Sequence, residues 1–396
     1  MKFSENVQQI NESETFAFFA KMKAKIRQGA DVIPLVAGEL DYTTPPSISK
    51  GAIEAIDEGF TKYTVNSGIL ELRESICQKL QKDNSLIYQP DQILVSNGVK
   101  QSLFNILFAL CGKGDEVIIL APYWPSYPSM VKMTGATPVY VDTSDTEFRP
   151  SIERFKNAIT DRTKMVIINS PNNPTGIVYK KETLTTIAEI VKEHDLWLMS
   201  DEIYEKIIFA PAVHYTPSQL IPEIHDKTIV VNGFSKSYAM TGWRVGYAAG
   251  PEELIKKAGV VQSHTTSNVC SIAQKAALKA LDNGDDFVNQ ILPDLKEQYT
   301  YTTEFLHSIP GIKTTDPSGA FYFFFPVHNY IKKKFKGKVI ENTTELADYL
   351  MDEHNVALVP GVAFGTPGYL RLSYTVKLER LKIGLEKIKA GLLALE

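Results

Sequence analysis

From about residue 91 onward, short apolar runs alternate with stretches whose apolar residues recur every three or four positions. Residues 92–96, 116–120, 138–142, 164–169, 196–200, 228–232 and 245–249 are short, apolar or β-branched and bounded by turn formers, and read as strands. Residues 99–110 and about 181–193 carry the helical period. Strand, helix, strand, helix predicts an α/β unit with a mainly parallel central sheet and helices on both faces. The pattern then changes. A long helical stretch at 286–307 leads to a strand at 320–326, a helix near 344–353, strands at 357–359 and 369–374, and a final helix from 378. That predicts a smaller α+β unit, on which an amphipathic helix at 16–27 is expected to pack. The expected division is an N-terminal segment 1–42, a large domain 43–285 and a small domain 286–396.

Length agrees, since 396 residues at about 150 per domain suggest two or three domains. With 44% hydrophobic and 22% charged residues the chain falls in the ordinary globular range, which excludes disordered classes. Forty-two Lys and Arg against 46 Asp and Glu give a net charge of −4, which argues against nucleic acid as a general partner. Any anionic ligand must then be held by local cations. Cys77, Cys111 and Cys270 are odd in number and form no CxxC, the usage of a reduced, cytoplasmic protein. The N-terminus lacks the apolar core of a signal peptide, and the longest apolar stretch, near 103–111, falls far short of the ~18 residues of a membrane span.

In an open parallel sheet, ligands bind beyond the carboxyl ends of the strands, and residues with chemistry cluster there. Lys236 lies in Asn232-Gly-Phe-Ser-Lys-Ser-Tyr-Ala-Met-Thr-Gly-Trp-Arg244. It is either a solvated loop lysine or a desolvated amine able to form a Schiff base, with Arg244 nearby to grip a phosphate. Asp201 closes the apolar run Leu196-Trp-Leu-Met-Ser-Asp-Glu-Ile-Tyr204. It either caps the next element or keeps a pyridine nitrogen protonated. Tyr204 is a core tyrosine or a hydroxyl offered to a phenolic oxygen. Asn173, in the turn Ser170-Pro-Asn-Asn-Pro-Thr-Gly176, can donate its amide to an anionic oxygen. Gly98, Val99 and Lys100 open a helix directly after a strand, so their N–H groups can face an anion. Trp124 is a core aromatic or a surface for stacking on a ring.

Competing signals fail. There is no GxGxxG, GxxxxGK[ST] or GxSxG, Ser47-Ile-Ser-Lys50 lacks the motifs that accompany SxxK, and seven scattered histidines predict no metal.

SPNNPTG, SDEIY and SKSYAMTGWRVG, in this order and spacing, make the chain resemble the fold-type I pyridoxal-phosphate aminotransferases of class I/II, with most similarity to the bacterial aspartate aminotransferases of subgroup Ib. The resemblance runs from Gly38-Glu-Leu-Asp-Tyr-Thr-Thr-Pro45 to Arg371-Leu-Ser-Tyr374. It implies that Lys236 is joined to the cofactor aldehyde, that Asp201 pairs with the pyridinium, and that Tyr204 and Asn173 contact O3′. It implies that Trp124 stacks on the ring and that Gly98, Val99, Lys100 and Arg244 hold the phosphate, with Ser235 or Ser237 assisting. Tyr63 is implied to reach the neighbouring subunit's phosphate, hence a homodimer with shared sites. Gly38 and Arg371 are implied to bind the substrate carboxylate, with Trp124 and Asn173 also bordering the substrate. Leu40, Tyr42 and the Asn97-Gly-Val-Lys-Gln101 run depart from the usual pattern without removing a catalytic group.

For the substrate side chain, no arginine lies between Arg244 and Arg371, so the partner-subunit arginine of subgroup Ia has no counterpart here. The resemblance implies instead that Lys100 meets a distal carboxylate, and that Lys100 with Thr15 favours prephenate. Aspartate and 2-oxoglutarate are the expected substrates. Prephenate, aromatic or alanine transamination is the alternative, followed by a C–S lyase. A cofactor-binding transcriptional regulator would need a DNA-binding domain before Gly38.

Overall fold

The computed structural model describes residues 3–10 and 14–396. Residues 1, 2 and 11–13, on which part of the signal-peptide reading rests, lie outside the described residues. The chain opens with helices α1 (Glu5–Gln8) and α2 (Glu14–Arg27), strand β1 (Ile33–Pro34), and helices α3 (Pro46–Asp57) and α4 (Leu70–Asn84). Then β2 (Ile93–Ser96), α5 (Val99–Leu110), β3 (Glu116–Ala121), α6 (Ser126–Thr134), β4 (Thr137–Asp142), α7 (Ile152–Asn157), β5 (Thr163–Asn169), α8 (Lys181–Glu193) and β6 (Trp197–Asp201) alternate. They are followed by α9 (Pro217–Leu220), β7 (Thr228–Gly233), β8 (Gly246–Ala249), α10 (Glu252–Thr265) and α11 (Ser271–His307). Among the described residues the large sheet has seven strands in the order β2-β8-β7-β6-β5-β3-β4.

Every strand of this sheet points the same way except β8, which is antiparallel to both its neighbours. Successive strand residues feed opposite faces. Ile118, Leu120, Val166, Ile168 and Leu198 pack with α8 residues such as Leu184 and Ile187. Val117, Ile119, Met165, Ile167 and Met199 pack with Leu103 and Ile106 of α5 and Leu254 of α10. Burial on both faces explains why these strands read as continuous apolar runs rather than alternating ones.

The remaining elements are β9 (Tyr322–Pro326), β10 (Lys334–Phe335), β11 (Lys338–Val339), α12 (Thr343–His354), β12 (Val356–Ala357), β13 (Val359–Pro360), β14 (Tyr369–Ser373) and α13 (Leu378–Leu393). Antiparallel β13-β14-β9 forms a small sheet, and β1 pairs with β12, tying the N-terminal segment to this region. Lys21 and Lys25 of α2 reach Asp348 and Asp352 of α12, so α2 packs there by ion pairs as well as by buried Phe18 and Met22. Helix α11 starts fifteen residues before the expected 286 and runs through the 285/286 boundary. No helix among the described residues is long and apolar enough to cross a membrane.

Candidate active site

The strand directions decide which side chains can meet. The carboxyl ends of β2, β5, β6 and β7 lie on one edge of the sheet, and the amino end of antiparallel β8 joins them. Residues 98, 173, 201, 236 and 244 therefore arrive together although they come from separate strand ends. A cavity of about 490 Å³ opens there. Of the residues singled out from sequence, Thr15, Gly38, Val99, Lys100, Trp124, Asn173, Asp201, Tyr204, Ser235, Lys236, Arg244 and Arg371 line it. Its walls carry four cations (Lys100, Lys236, Arg244, Arg371) against one carboxylate, Asp201. A chain of net charge −4 thus presents a locally positive pocket.

One cationic wall of the cavity is built from α5 and the segment before β8. Gly98 has φ +80° and caps α5, and a Cβ there would lie 2.6 Å from Nη2 of Arg244. The missing side chain is the space in which the guanidinium approaches the helix N-terminus, where N–H groups and the helix dipole favour an anion. The N–H of Gly98 itself turns back to the Ser96 carbonyl at 2.7 Å. The Gly98 N–H is thus engaged within the turn and is not the free donor the sequence suggested, while its missing side chain makes room for Arg244. Gly246, on β8, touches the same turn: a Cβ there would lie 2.8 Å from the Gly98 carbonyl carbon and closer still to the Val99 nitrogen. Arg244 holds a left-handed backbone, φ +58°, and donates from Nη1 to the Thr241 carbonyl at 2.9 Å.

Also lining the cavity, Asp201 is buried and accepts the Tyr127 hydroxyl at 2.6 Å and the Ile203 N–H at 3.3 Å. Burial nonetheless raises its pKa to about 6, the hydrogen bonds working against the shift. Lys236, from the turn after β7, donates to the Gly38 carbonyl. Burial, aided by Arg371 and Arg244, lowers its amine to about 8 against the pull of Glu39 and Asp201. The Tyr204 hydroxyl meets that of Tyr322 at 2.9 Å, and burial holds both phenols above their ordinary range.

Arg371 comes from β14 and lies between the rings of Tyr322 and Phe364, at 4.5 and 5.0 Å. It donates to Asn173 Oδ1 at 3.0 Å and to the Val36 carbonyl at 2.8 Å. Its Nε is buried without a partner, and no carboxylate pairs with it among the described residues. A buried guanidinium without a counter-ion is a site for a ligand carboxylate. Lys100 sits over the Trp124 ring at 4.9 Å, and burial beside Arg244 lowers its pKa.

Three expected residues do not line the cavity: Ser237, Tyr63 and Gly98, the last of which stands behind Arg244. Ser237 is buried away from it, and Tyr63 is 91% exposed on the surface. Conversely, Tyr127, Asn169, Thr241 and Tyr322 line the cavity without having been assigned a role. Asn169 Oδ1 accepts the Asn173 N–H at 2.8 Å, which orients the Asn173 turn. Tyr127 stands in the aromatic segment beside Trp124, a visible signal. Tyr322 lies in a run of aromatic residues whose neighbours are core, so nothing in the sequence marked it.

The sequence profile of aminotransferase class I and II matches residues 30–388. The chain belongs to the class I and II aminotransferase family. It is therefore an enzyme that transfers amino groups, in a family that works with pyridoxal phosphate. It is 43% identical over 402 residues to the bifunctional aspartate aminotransferase and glutamate/aspartate-prephenate aminotransferase of Petunia hybrida, covering 100% of this chain and 84% of that one. It is 40% identical to the aspartate aminotransferase of Bacillus subtilis (strain 168), covering 98% of each. Aspartate aminotransferase from Thermus thermophilus, solved with maleate, superposes with a TM-score of 0.93 at 40% identity over 99% of this chain and 100% of that chain. The Rhizobium meliloti aspartate aminotransferase gives 0.96 at 39%, over 100% of both. The aminotransferase has the fold-type I architecture, a mainly parallel sheet flanked by helices with a smaller α+β part.

Proposed function

We propose that the cavity binds pyridoxal 5′-phosphate and that this aminotransferase exchanges the amino group of aspartate with 2-oxoglutarate, giving oxaloacetate and glutamate. The observation that carries the reading is a buried amine of lowered pKa, Lys236, sharing one cavity with the buried carboxylate Asp201 and a glycine-backed cationic cradle. These residues fit the group: Arg244 and the α5 N-terminus match a phosphate, Trp124 offers a flat face, and Asn173 and Tyr204 bring an amide and a hydroxyl to the cavity wall.

When bound, the cofactor supplies an aldehyde that captures amines and a cationic ring that draws electrons from the substrate Cα. The protein's own groups do the rest. Lys236, its amine lowered to about 8 and so uncharged on about a tenth of molecules at pH 7, takes the Cα proton and returns it on the other side of the exchange. Asp201, as carboxylate, holds the ring nitrogen in its protonated form. Arg371 grips the substrate α-carboxylate through the donor edge that Asn173 and Val36 leave open, which fixes the Cα–H bond toward Lys236. Replacing Lys236 by alanine is expected to lower turnover by at least about 10²–10⁴-fold.

Substrate choice rests on Lys100. A second carboxylate needs a second cation beyond Arg371 and Arg244, and Lys100 is the remaining one on the cavity wall once Lys236 is engaged. The maleate of the Thermus thermophilus structure, a four-carbon dicarboxylate, supports this class. Lys100→Ala is expected to raise KM for aspartate much more than for alanine; equal effects would remove Lys100 from side-chain recognition. A second acceptor, prephenate, is supported by Thr15, whose Oγ1 is buried at the cavity without a partner among the described residues, and by the name of the Petunia hybrida relative. An amino-acid panel with 2-oxoglutarate tests the whole reading: stoichiometric amino exchange supports it, and ammonia with pyruvate from a sulfur amino acid would indicate a lyase instead.

The proposal includes a cytoplasmic homodimer in which Tyr63 of each chain reaches the other's phosphate. Its 91% exposure beside exposed Val65 and Leu70 supports a surface awaiting a partner. It also includes a functional division in which residues 43–285 supply Lys236 and Asp201, residues 286–396 supply Arg371, and the N-terminal segment supplies Thr15 and Gly38.

A further inference from the structure

Directly behind Asp201 lies a buried polar cluster that the proposed chemistry leaves unused. Ser200 and Glu202, the neighbours of Asp201, turn to the other face of the sheet, as strand alternation requires. Neither lines the cavity. The Glu202 side chain is fully buried. Its Oε1 accepts the Ser200 hydroxyl at 2.7 Å, and its Oε2 accepts the Thr216 hydroxyl at 2.9 Å and the Asn84 amide at 3.3 Å. His214 Nε2 completes the set at 2.9 Å from Oε2. The Glu202 N–H donates to the Val231 carbonyl at 2.9 Å, tying the residue to β7 as well.

The same cluster holds Glu205, ion-paired to Lys79 of α4 and accepting the Asn84 amide at 3.0 Å. Burial works against the Glu205 charge, but Lys79 and His214 bring its pKa down to about 2. Burial likewise opposes a charged His214, yet Glu202 and Glu205 outweigh it and raise the imidazole pKa above its ordinary value. Two carboxyl groups therefore face Lys79 and His214 in one buried cluster. The phenols of Tyr88, Tyr238 and Tyr247, Asp83 of α4 with Lys206 paired to it, and Asp226 beside Tyr88 are further titratable groups close to the cluster. On the cavity side Asp201 is faced by Tyr127, Tyr204 and Lys236.

We propose that His214 and Glu202 are positioning residues for the reaction, a buried charge pair that anchors the end of β6 and keeps the carboxylate of Asp201 ionised toward the ring nitrogen. The inference rests on the cofactor reading given above. Its physical basis is a sign argument. A carboxylate at position 202, one residue from Asp201, disfavours a second negative charge at 201. His214 bonded to that carboxylate cancels the repulsion while leaving the four-donor anchor in place. The pair thus fixes geometry and charge together, from a face that substrate never touches.

The test uses the cofactor-loaded enzyme and two readouts across pH 5–9: the acid limb of kcat/KM, and the dissociation constant for pyridoxal phosphate followed by tryptophan fluorescence. His214→Gln keeps a hydrogen-bond donor but leaves Glu202 uncompensated, so both the limb and the onset of tight cofactor binding are expected to move to higher pH by on the order of one unit. Glu202→Gln removes the repelling charge while keeping an acceptor, and both are expected to move to lower pH. The double variant is expected to return close to the wild-type position. A purely structural role would instead lower kcat at every pH in each variant without moving either midpoint, and that result, or shifts of the same sign in both single variants, overturns the proposal. Should His214→Gln not fold, the downward shift in Glu202→Gln decides alone. A wild-type enzyme that fails to bind pyridoxal phosphate would overturn the cofactor reading itself, a different outcome from normal binding with unmoved midpoints.

Discussion

Asp201 ties site chemistry to stability. Its pKa is about 6 in the folded chain against an ordinary 3.8, because burial penalises the charge more than Tyr127 and the Ile203 N–H relieve it. Below about pH 4 both folded and unfolded chains hold the proton and the group is neutral in the balance. As pH rises through the interval from about 4 to 6, the unfolded chain releases its proton first, so stability falls, by about 3 kcal/mol in all. Above about 6 the loss is complete. The cofactor-free Asp201→Asn variant is therefore expected to melt above wild type at pH 7.5 and alongside it at pH 4, as read by calorimetry. Bound cofactor should reverse this order, since a pyridinium compensates the carboxylate. Tyr127→Phe removes the 2.6 Å donor and is expected to weaken retention of the cofactor at low pH, with the midpoint of retention against pH displaced upward.

Among the elements, the α5 N-terminus and β8 matter most to the site. The strand pair β7–β8 sets Gly233 directly opposite Gly246, and the bare surface they leave is where the first turn of α5 rests. Gly246→Ala forces a methyl against the Val99 nitrogen, and the backbone must move. The expected result is a loss of roughly 1–3 kcal/mol in unfolding free energy and a larger loss of cofactor affinity, measured by denaturant titration and by cofactor release. Element pattern was well visible in the sequence where burial is two-sided. The strands of the large sheet appear within a residue or so of their expected bounds, and α5 and α8 begin and end where the period suggested. Helices α3 and α4 precede the alternating strand–helix pattern, and their apolar residues, Ile48, Ala52, Leu72, Ile76 and Leu80, pack in one cluster with α11 and, for α4, β2. The single antiparallel strand, β8, was unmarked, since a fully buried strand carries no sign of its direction. The site was legible where short motifs end strands, as at Asn173, Asp201 and Lys236. It was illegible at Tyr322, Gly246 and His214, whose contacts are with residues brought close only by the fold.

For the molecule as a whole, the proposed dimer gives exposed Tyr63 a place at the neighbour's site. If sites are shared across a two-fold dimer, mixing Lys236→Ala with Tyr63→Ala chains rebuilds one complete site in each hybrid. Random exchange makes half the dimers hybrid, so about a quarter of the wild-type activity is expected from two weak parents. Activity no higher than the parents' average would place Tyr63 outside the neighbour's site. The most direct test of the central claim is chemical. Borohydride reduction of the cofactor-loaded enzyme, followed by peptide mass mapping, is expected to find the phosphopyridoxyl group on the peptide carrying Lys236. A label on another lysine, or none on that peptide, would contradict the account.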